Sequence, residues 1–428
     1  MPGIYLIDHT FEVPLDYDEP EKGSIDIFAR EAVTIDNVKR NNLPWLVFFQ
    51  GGPGFPSPRP FVNSGWFKRA VRDFRVLLLD QRGTGRSSPV TFQSMENIES
   101  ETDQADYLKH FRADSIVRDA EFIRRQLLGE DSGWYGLGQS YGGFCLTHYL
   151  SAFPQSLKGV LMTGGIPPVG VGVDDVYRAT YKRCLRKNAQ YYERYPGDAA
   201  QVKRILEYLS DNLVMLPGGG RLTPERFQQL GISFGMSDGF EHVHYLIEDP
   251  FVQVNGRQEL SYVFLRGVEN LQSFETNPIY VLLHEAIYCE SQASNWSAHR
   301  VREEFPQFEI SANSVMKDQI FFTGEMIYPW MLDQYDYLAP LKGAAQLLAE
   351  YDKWPALYDR EVLKKNKVPV HALVYHEDMY VEREYSEETA NIIGGSRLWV
   401  TNEYEHNGLR QDGYRILDRL LSMLKGEI

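Results

Sequence analysis

The chain has 428 residues and a formal net charge of −15; its 43% hydrophobic and 24% charged content is that of a globular protein with room for two or three domains. So large an acidic excess excludes a broad electrostatic grip on nucleic acid or on an anionic membrane, because phosphate contacts need clustered Lys and Arg. Three dispersed cysteines, Cys145, Cys184 and Cys289, form no C-x-x-C pair, so neither a disulfide framework nor a metal site is expected, and no cofactor is called for.

The start, Met1 to Tyr5, lacks a basic segment leading into an apolar one, and no run of about eighteen apolar residues occurs, so a cytoplasmic protein is expected. Apolar and polar residues alternate over Ile25 to Val33 behind the turn-like Glu19-Pro20-Glu21-Lys22-Gly23, which predicts an antiparallel hairpin at a sheet edge. Pro44 to Phe49 is a continuous apolar run, the pattern of a strand buried on both faces. It ends in Gln50-Gly51-Gly52-Pro53-Gly54, where bare backbone N–H groups can meet a ligand oxygen or simply turn the chain.

Arg75 to Asp80 is a second buried strand, followed by Gln81-Arg82-Gly83-Thr84-Gly85-Arg86-Ser87. That loop fits neither phosphate-binding glycine pattern, so Asp80, Arg82 and Arg86 are expected to tie loops together. The spacing of apolar residues from Ala105 to Leu128 predicts one helix. Next comes Gly133 to Leu137, readable as a strand, then Gly138-Gln139-Ser140-Tyr141-Gly142 and a helix-compatible stretch from Phe144 to Phe153. A G-x-S-x-G sequence between strand and helix forces its serine into a strained turn, exposed above the sheet and at a helix N-terminus. Leu157 to Thr163 is a further strand.

Strand texture then stops. Asp175 to Tyr195, Ala199 to Leu213, Phe251 to Phe274 and Pro278 to Ser291 all read as helical, and Thr223 with Pro224 marks another helix start. It returns with Val368 to Tyr375 and Arg397 to Val400, and Gly413 to Leu424 closes the chain as a helix. This order predicts an α/β fold with a mostly parallel sheet and right-handed crossovers, made by residues 1–168 and 353–428, with a mainly helical domain of residues 169–352 inserted over the strands' carboxyl ends.

A serine hydroxyl is a poor nucleophile until a base takes its proton, and loops after the carboxyl ends of parallel strands are where such a base belongs. His376-Glu377-Asp378 follows one late strand, and Glu403-Tyr404-Glu405-His406-Asn407-Gly408 the other. The order Ser140, Asp378, His406 is that of nucleophile, acid and base on this kind of sheet. Glu377 competes with Asp378 as orienter of the imidazole. His371 and His376 precede the acid or crowd it and are expected to be structural.

Together, Gln50 to Gly54, Asp80 to Ser87 and Gly138 to Gly143 resemble the three signature stretches of proline iminopeptidases, serine peptidases of family S33 with the α/β-hydrolase fold. His284 to Cys289, Phe322 to Trp330 and Glu405 to Arg410 are similar to the larger bacterial subgroup; smaller relatives carry His in place of Gln50. The resemblance implies that Ser140 attacks the carbonyl of an N-terminal proline of a peptide while the N–H groups of Gly52 and Tyr141 hold the oxyanion. It also implies a carboxylate site for the free amine, for which Glu285 and Glu325 are the candidates, with Tyr288, Tyr328 and Trp330 as walls of a ring pocket. The rival expectation is an esterase-like hydrolase acting on small uncharged esters.

Overall fold

The computed structural model describes residues 1–40, 42–310 and 319–428. Its strands are β1 (Ile4–Pro14), β2 (Ser24–Thr34), β3 (Trp45–Phe49), β4 (Arg75–Leu79), β5 (Trp134–Gln139), β6 (Leu157–Thr163), β7 (Phe251–Val254), β8 (Arg257–Leu260), β9 (Val370–Tyr375) and β10 (Ser396–Thr401). Eight of them form one sheet in the order β1-β2-β4-β3-β5-β6-β9-β10. The expected hairpin is β1 and β2, antiparallel with Ile4 opposite Thr34, and it joins the sheet through an antiparallel pairing of β2 with β4. All other neighbours in this sheet are parallel.

Alternation along the buried strands divides the core. Leu46, Phe48, Val76 and Leu78 pack with Ala70 and Val71 of the helix Gly65–Asp73 and with Ile416, Leu417 and Leu420 of the helix Gly413–Lys425. Val47, Phe49, Leu77 and Leu79 point the other way, toward Val117 and Ala120 of the helix Ala113–Leu128 and Leu146 and Leu150 of the helix Tyr141–Ala152. Helices on both faces cover strands whose residues are apolar in both directions, which is why these strands read as unbroken apolar runs.

Between β6 and β9 the chain is mainly helical, starting with Val173–Arg194 and Asp198–Asp211. Thr223 caps the next helix as expected, its hydroxyl accepting from the Arg226 N–H at 3.1 Å. Three expectations are corrected. Phe251 to Phe274 is not one helix: β7 and β8 pair antiparallel, and Asn255 and Gly256 turn between them with φ of 50° and 75°, a conformation that an Asn-Gly pair adopts cheaply. Only Tyr262–Asn270 is helical there, capped by Ser261. Pro278 to Ser291 is a short helix, Pro278–Leu283, continued by a tighter turn over Glu285–Tyr288. The stretch from Ala105 to Leu128 breaks at Arg112, whose extended backbone (φ −97°, ψ 177°) lets its buried guanidinium donate to Cys289 O at 2.6 Å and Pro355 O at 2.7 Å. Capping those carbonyls outweighs a continuous helix.

The glycine-rich loop after β4 ties loops together. Arg82 is 1% exposed and grips Asp119 with two hydrogen bonds of 2.7 and 2.6 Å while donating to the carbonyls of Leu15 and His110. Asp80 is fully buried and accepts from Arg59, from Ser57 N–H and from Arg86 N–H. Among the described residues no helix is long and apolar enough to cross a membrane. Because Asp119→Ala would strand the Arg82 charge in the core, it is expected to lower unfolding stability by about 3–5 kcal/mol, measured by urea denaturation; a loss under about 1 kcal/mol would mean that this ion pair does not hold the loop.

Candidate active site

Sharp turns follow β3, β5, β9 and β10, and their residues meet around one cavity of about 480 Å³. Ser140 sits between β5 and the helix Tyr141–Ala152 with φ 54° and ψ −127°, a strained conformation for a residue with a side chain. Its N–H is fixed by Thr163 O at 2.9 Å. The turn closes because its neighbours are glycines: a Cβ on Gly142 would meet Phe49 O at 2.1 Å, and one on Gly143 would meet Gly165 O at 2.2 Å. Ser140 is 9% exposed and lines the cavity together with Gly51 and Gly52 from the turn after β3. Tyr141 is the first residue of the helix, where backbone N–H groups lack helical acceptors.

Asp378 follows β9 and is 1% exposed. One carboxylate oxygen accepts from the N–H groups of Tyr380 (2.9 Å) and Val381 (3.1 Å); the other faces His406 Nδ1 at 2.8 Å. Held this way, the carboxylate fixes the tautomer that leaves Nε2 free to act as base. The His406 ring lies perpendicular to the Tyr380 ring at 4.8 Å, and the backbone N–H of His406 donates to Gly235 O. Burial disfavours an imidazolium at this position, but the Asp378 carboxylate outweighs it, so the His406 pKa is raised above its ordinary value. His406 lines the same cavity as Ser140; among the described residues no direct hydrogen bond joins them, a spacing common before substrate draws such groups together.

Glu377, the competing orienter, turns elsewhere: it pairs with His376 Nδ1 at 3.0 Å and lies 3.8 Å from Arg183. His371 is buried within β9.

The two candidate amine carboxylates separate clearly. Glu325 lines the cavity and accepts a 2.6 Å hydrogen bond from the Tyr280 hydroxyl. Burial drives its carboxyl up to about 7, against the Tyr280 hydrogen bond and the His406 imidazole, which pull it down. Glu285 is corrected. It is 6% exposed, does not line the cavity, and spends both oxygens on the N–H groups of Ser297 (3.0 Å) and Ala298 (2.9 Å), at the start of the helix Ser297–Val301. A helix N-terminus in the interior needs such acceptors, and Glu285 supplies them.

The expected ring-pocket walls are corrected too. Tyr328 is fully buried, bonded through its hydroxyl to that of Tyr181 at 2.8 Å and stacked on Trp330 at 5.4 Å. Trp330 instead borders a separate surface hollow with His299 and Arg302. Tyr288 packs edge-on against Phe144 and Tyr177 and is not among the cavity's lining residues. The aromatic walls are Phe55, Trp66, Phe274, Tyr280 and Tyr380. Of these, Tyr280 carried one usable signal, its place in the first turn after Asn277-Pro278 and one turn ahead of His284, against which its ring packs at 4.8 Å.

All three cysteines are free and buried, and burial pushes the Cys145 thiol up, away from nucleophilic character. Among the described residues no group of three or more His, Cys, Asp or Glu could hold a metal.

A parallel sheet with this serine turn, acid and histidine defines an α/β-hydrolase, and the family model for the alpha/beta hydrolase fold matches residues 44–221. The chain is 51% identical over 424 residues to a proline iminopeptidase of Aeromonas sobria, covering 99% of this chain and 97% of that one. It is 36% identical over 423 residues to the proline iminopeptidase aneH of Aspergillus aculeatus, covering 98% and 93%. A proline iminopeptidase of Thermoplasma volcanium matches at 27% over 153 residues, 34% of this chain and 45% of that one. The chain belongs to the proline iminopeptidase family, serine exopeptidases of the α/β-hydrolase fold.

Burial raises the carboxyl of both Glu325 and Glu285, but only Glu285 spends both oxygens on the start of a helix. Because Glu325 holds its proton more tightly when folded, the folded state loses stability relative to the unfolded one as pH rises from its ordinary value of 4.5 through about 7. Glu325→Gln is therefore expected to raise Tm at pH 8 and to leave it nearly unchanged at pH 4.5, whereas Glu285→Gln, which loses an acceptor for two backbone N–H groups, is expected to cost about 1–3 kcal/mol at pH 4.5. The same Tm difference from the parent at pH 4.5 and pH 8 would contradict the assignment.

Proposed function

We propose that the enzyme releases N-terminal proline from peptides through an acyl-enzyme, with Ser140 as nucleophile, His406 as general base and acid, Asp378 as orienter, and the N–H groups of Gly52 and Tyr141 as oxyanion donors. The observation that carries this reading is Glu325: a carboxylate in the same cavity as Ser140 and His406, partly buried, with one hydrogen bond and, among the described residues, no Lys or Arg paired with it. An anion held there without a partner is costly, and a substrate ammonium both relieves that cost and is positioned by it. The relatives' names add the substrate: the Aeromonas and Aspergillus proteins are both proline iminopeptidases. An uncharged ester would leave Glu325 unpaired, which disfavours the esterase reading.

In the proposed reaction the proline ring packs among Phe55, Phe274 and Tyr280 with its ammonium on Glu325. His406 takes the Ser140 hydroxyl proton as Oγ bonds to the prolyl carbonyl carbon. The imidazolium, stabilised by Asp378, passes that proton to the departing peptide nitrogen as the C–N bond breaks. The same imidazole then takes a proton from water as the water oxygen bonds to the acyl carbon, and the imidazolium returns that proton to Ser140 Oγ as the ester C–O bond breaks and proline leaves. Oxyanion donors of this kind are each worth about 10² to 10³ in rate. In this reading residues 169–352 are a cap over a core of residues 1–168 and 353–428, and the cap supplies Glu325, Tyr280 and Phe274.

Acid quenching during turnover of a proline ester is expected to trap one prolyl group on Ser140, seen by peptide mass spectrometry and absent in Ser140→Ala; no adduct at any quench time would rule the acyl-enzyme out. A second expectation concerns pH. Both His406 and Glu325 must be deprotonated in the free enzyme, and both pKa values are raised, so log kcat/KM for proline amides is expected to fall below about pH 7 with a slope approaching two. In Glu325→Gln the slope becomes one and the plateau drops by about 10² or more. An unchanged slope would remove Glu325 from substrate binding.

A further inference from the structure

The imidazole that protonates the leaving nitrogen must touch it, so the leaving part of the substrate lies on the His406 side of the cavity. Beyond His406 that wall is made by Asn407, Leu409 and Arg410. Arg410 lies one helical turn after the imidazole, in the short helix Gly408–Gln411, with its side chain exposed at the cavity rim. It is uncommitted. Among the described residues its side chain makes one hydrogen bond, to the Met236 thioether at 3.1 Å, a weak acceptor, and no carboxylate lies within ion-pair distance. Its neighbour Arg415 is by contrast paired with Glu403 and Asp412. The near rim adds further polar side chains that make no side-chain hydrogen bond among the described residues: Gln50, Asn270 and Ser273.

The cavity is thus charged in opposite senses along the substrate's path, with the Glu325 carboxylate within and a guanidinium at the mouth. A short peptide carries the complementary charges, an ammonium at one end and a carboxylate at the other. We infer that Arg410 binds the C-terminal carboxylate of the leaving part, making proline-containing dipeptides and tripeptides with a free terminal carboxylate the favoured substrates. A planar guanidinium suits a carboxylate, which it can hold through two parallel hydrogen bonds. Length follows from reach: each residue spans at most about 3.3–3.6 Å, so a leaving group of one or two residues ends near this rim and a longer one passes it.

This inference rests on the aminopeptidase reading, and the experiment separates the two. kcat/KM would be measured for Pro-Ala, Pro-Ala-amide, Pro-Glu-amide and proline p-nitroanilide with the parent, Arg410→Gln and Arg410→Lys. In the parent the free acid is expected to exceed its amide by about fivefold, less at high salt, as fits a solvent-exposed ion pair. Arg410→Gln brings the acid-to-amide ratio to about one, and Arg410→Lys, which keeps charge but not the planar fork, falls between. An equal ratio in parent and Arg410→Gln overturns the inference, whatever the absolute rates. Full recovery of the advantage by Pro-Glu-amide overturns the terminal assignment in favour of a side-chain carboxylate. Failure of the parent to cleave proline p-nitroanilide would instead sink the aminopeptidase reading.

Discussion

The 2.8 Å contact between Asp378 and His406 exists because β9 and β10 are adjacent and parallel, so that the loops after their carboxyl ends open on the same side of the sheet. Every other part of the site is arranged around it. The acid is anchored by two backbone N–H groups as well as by the imidazole, so its geometry is set before substrate arrives, and the imidazole in turn is fixed in orientation and raised in basicity. The neighbouring loops are also held from the inserted segment: Arg183, on the helix Val173–Arg194, pairs with Glu382 at 2.8 Å, and Lys187, one turn further on, pairs with Glu405 beside the histidine. The segment between β6 and β9 is thus clamped to the loops that carry Asp378 and His406.

A second consequence is electrostatic. The cavity is lined by Glu325 and His406, with Asp378 behind the imidazole and Arg410 at the mouth, and both titratable partners of the proposed chemistry are shifted upward, Glu325 mainly by burial and His406 by the Asp378 carboxylate. The protein's large acidic excess plays no part in this; the relevant charges are a few groups in a space of about 480 Å³.

Much of the fold was legible because its signals are local. Buried strands announce themselves as apolar runs, the serine turn as glycines at fixed offsets, and the acid and base as polar residues directly after strands. The misreadings share a different cause, partners distant in sequence. Glu285 and Glu325 look alike in the chain, each among aromatics, yet one meets the start of a helix twelve residues on and the other meets a tyrosine forty-five residues back. Nothing within a few residues of either distinguishes them. Tyr328 is an aromatic that serves the interior, the commoner fate of large rings, and Trp330 stacks on it beside a separate surface hollow. The Asn255-Gly256 turn is another case: its signal was plain, and helical texture on either side obscured it.

The central claim is that a cavity carboxylate reads the free amine of the substrate beside the serine. The most direct measurement is the ratio of kcat/KM for a proline anilide to that for its N-acetyl derivative, in the parent and in Glu325→Gln. The account predicts a ratio in the parent of about 10² or more, collapsing toward unity in the variant as the free substrate loses its advantage. The same ratio in both proteins would contradict it.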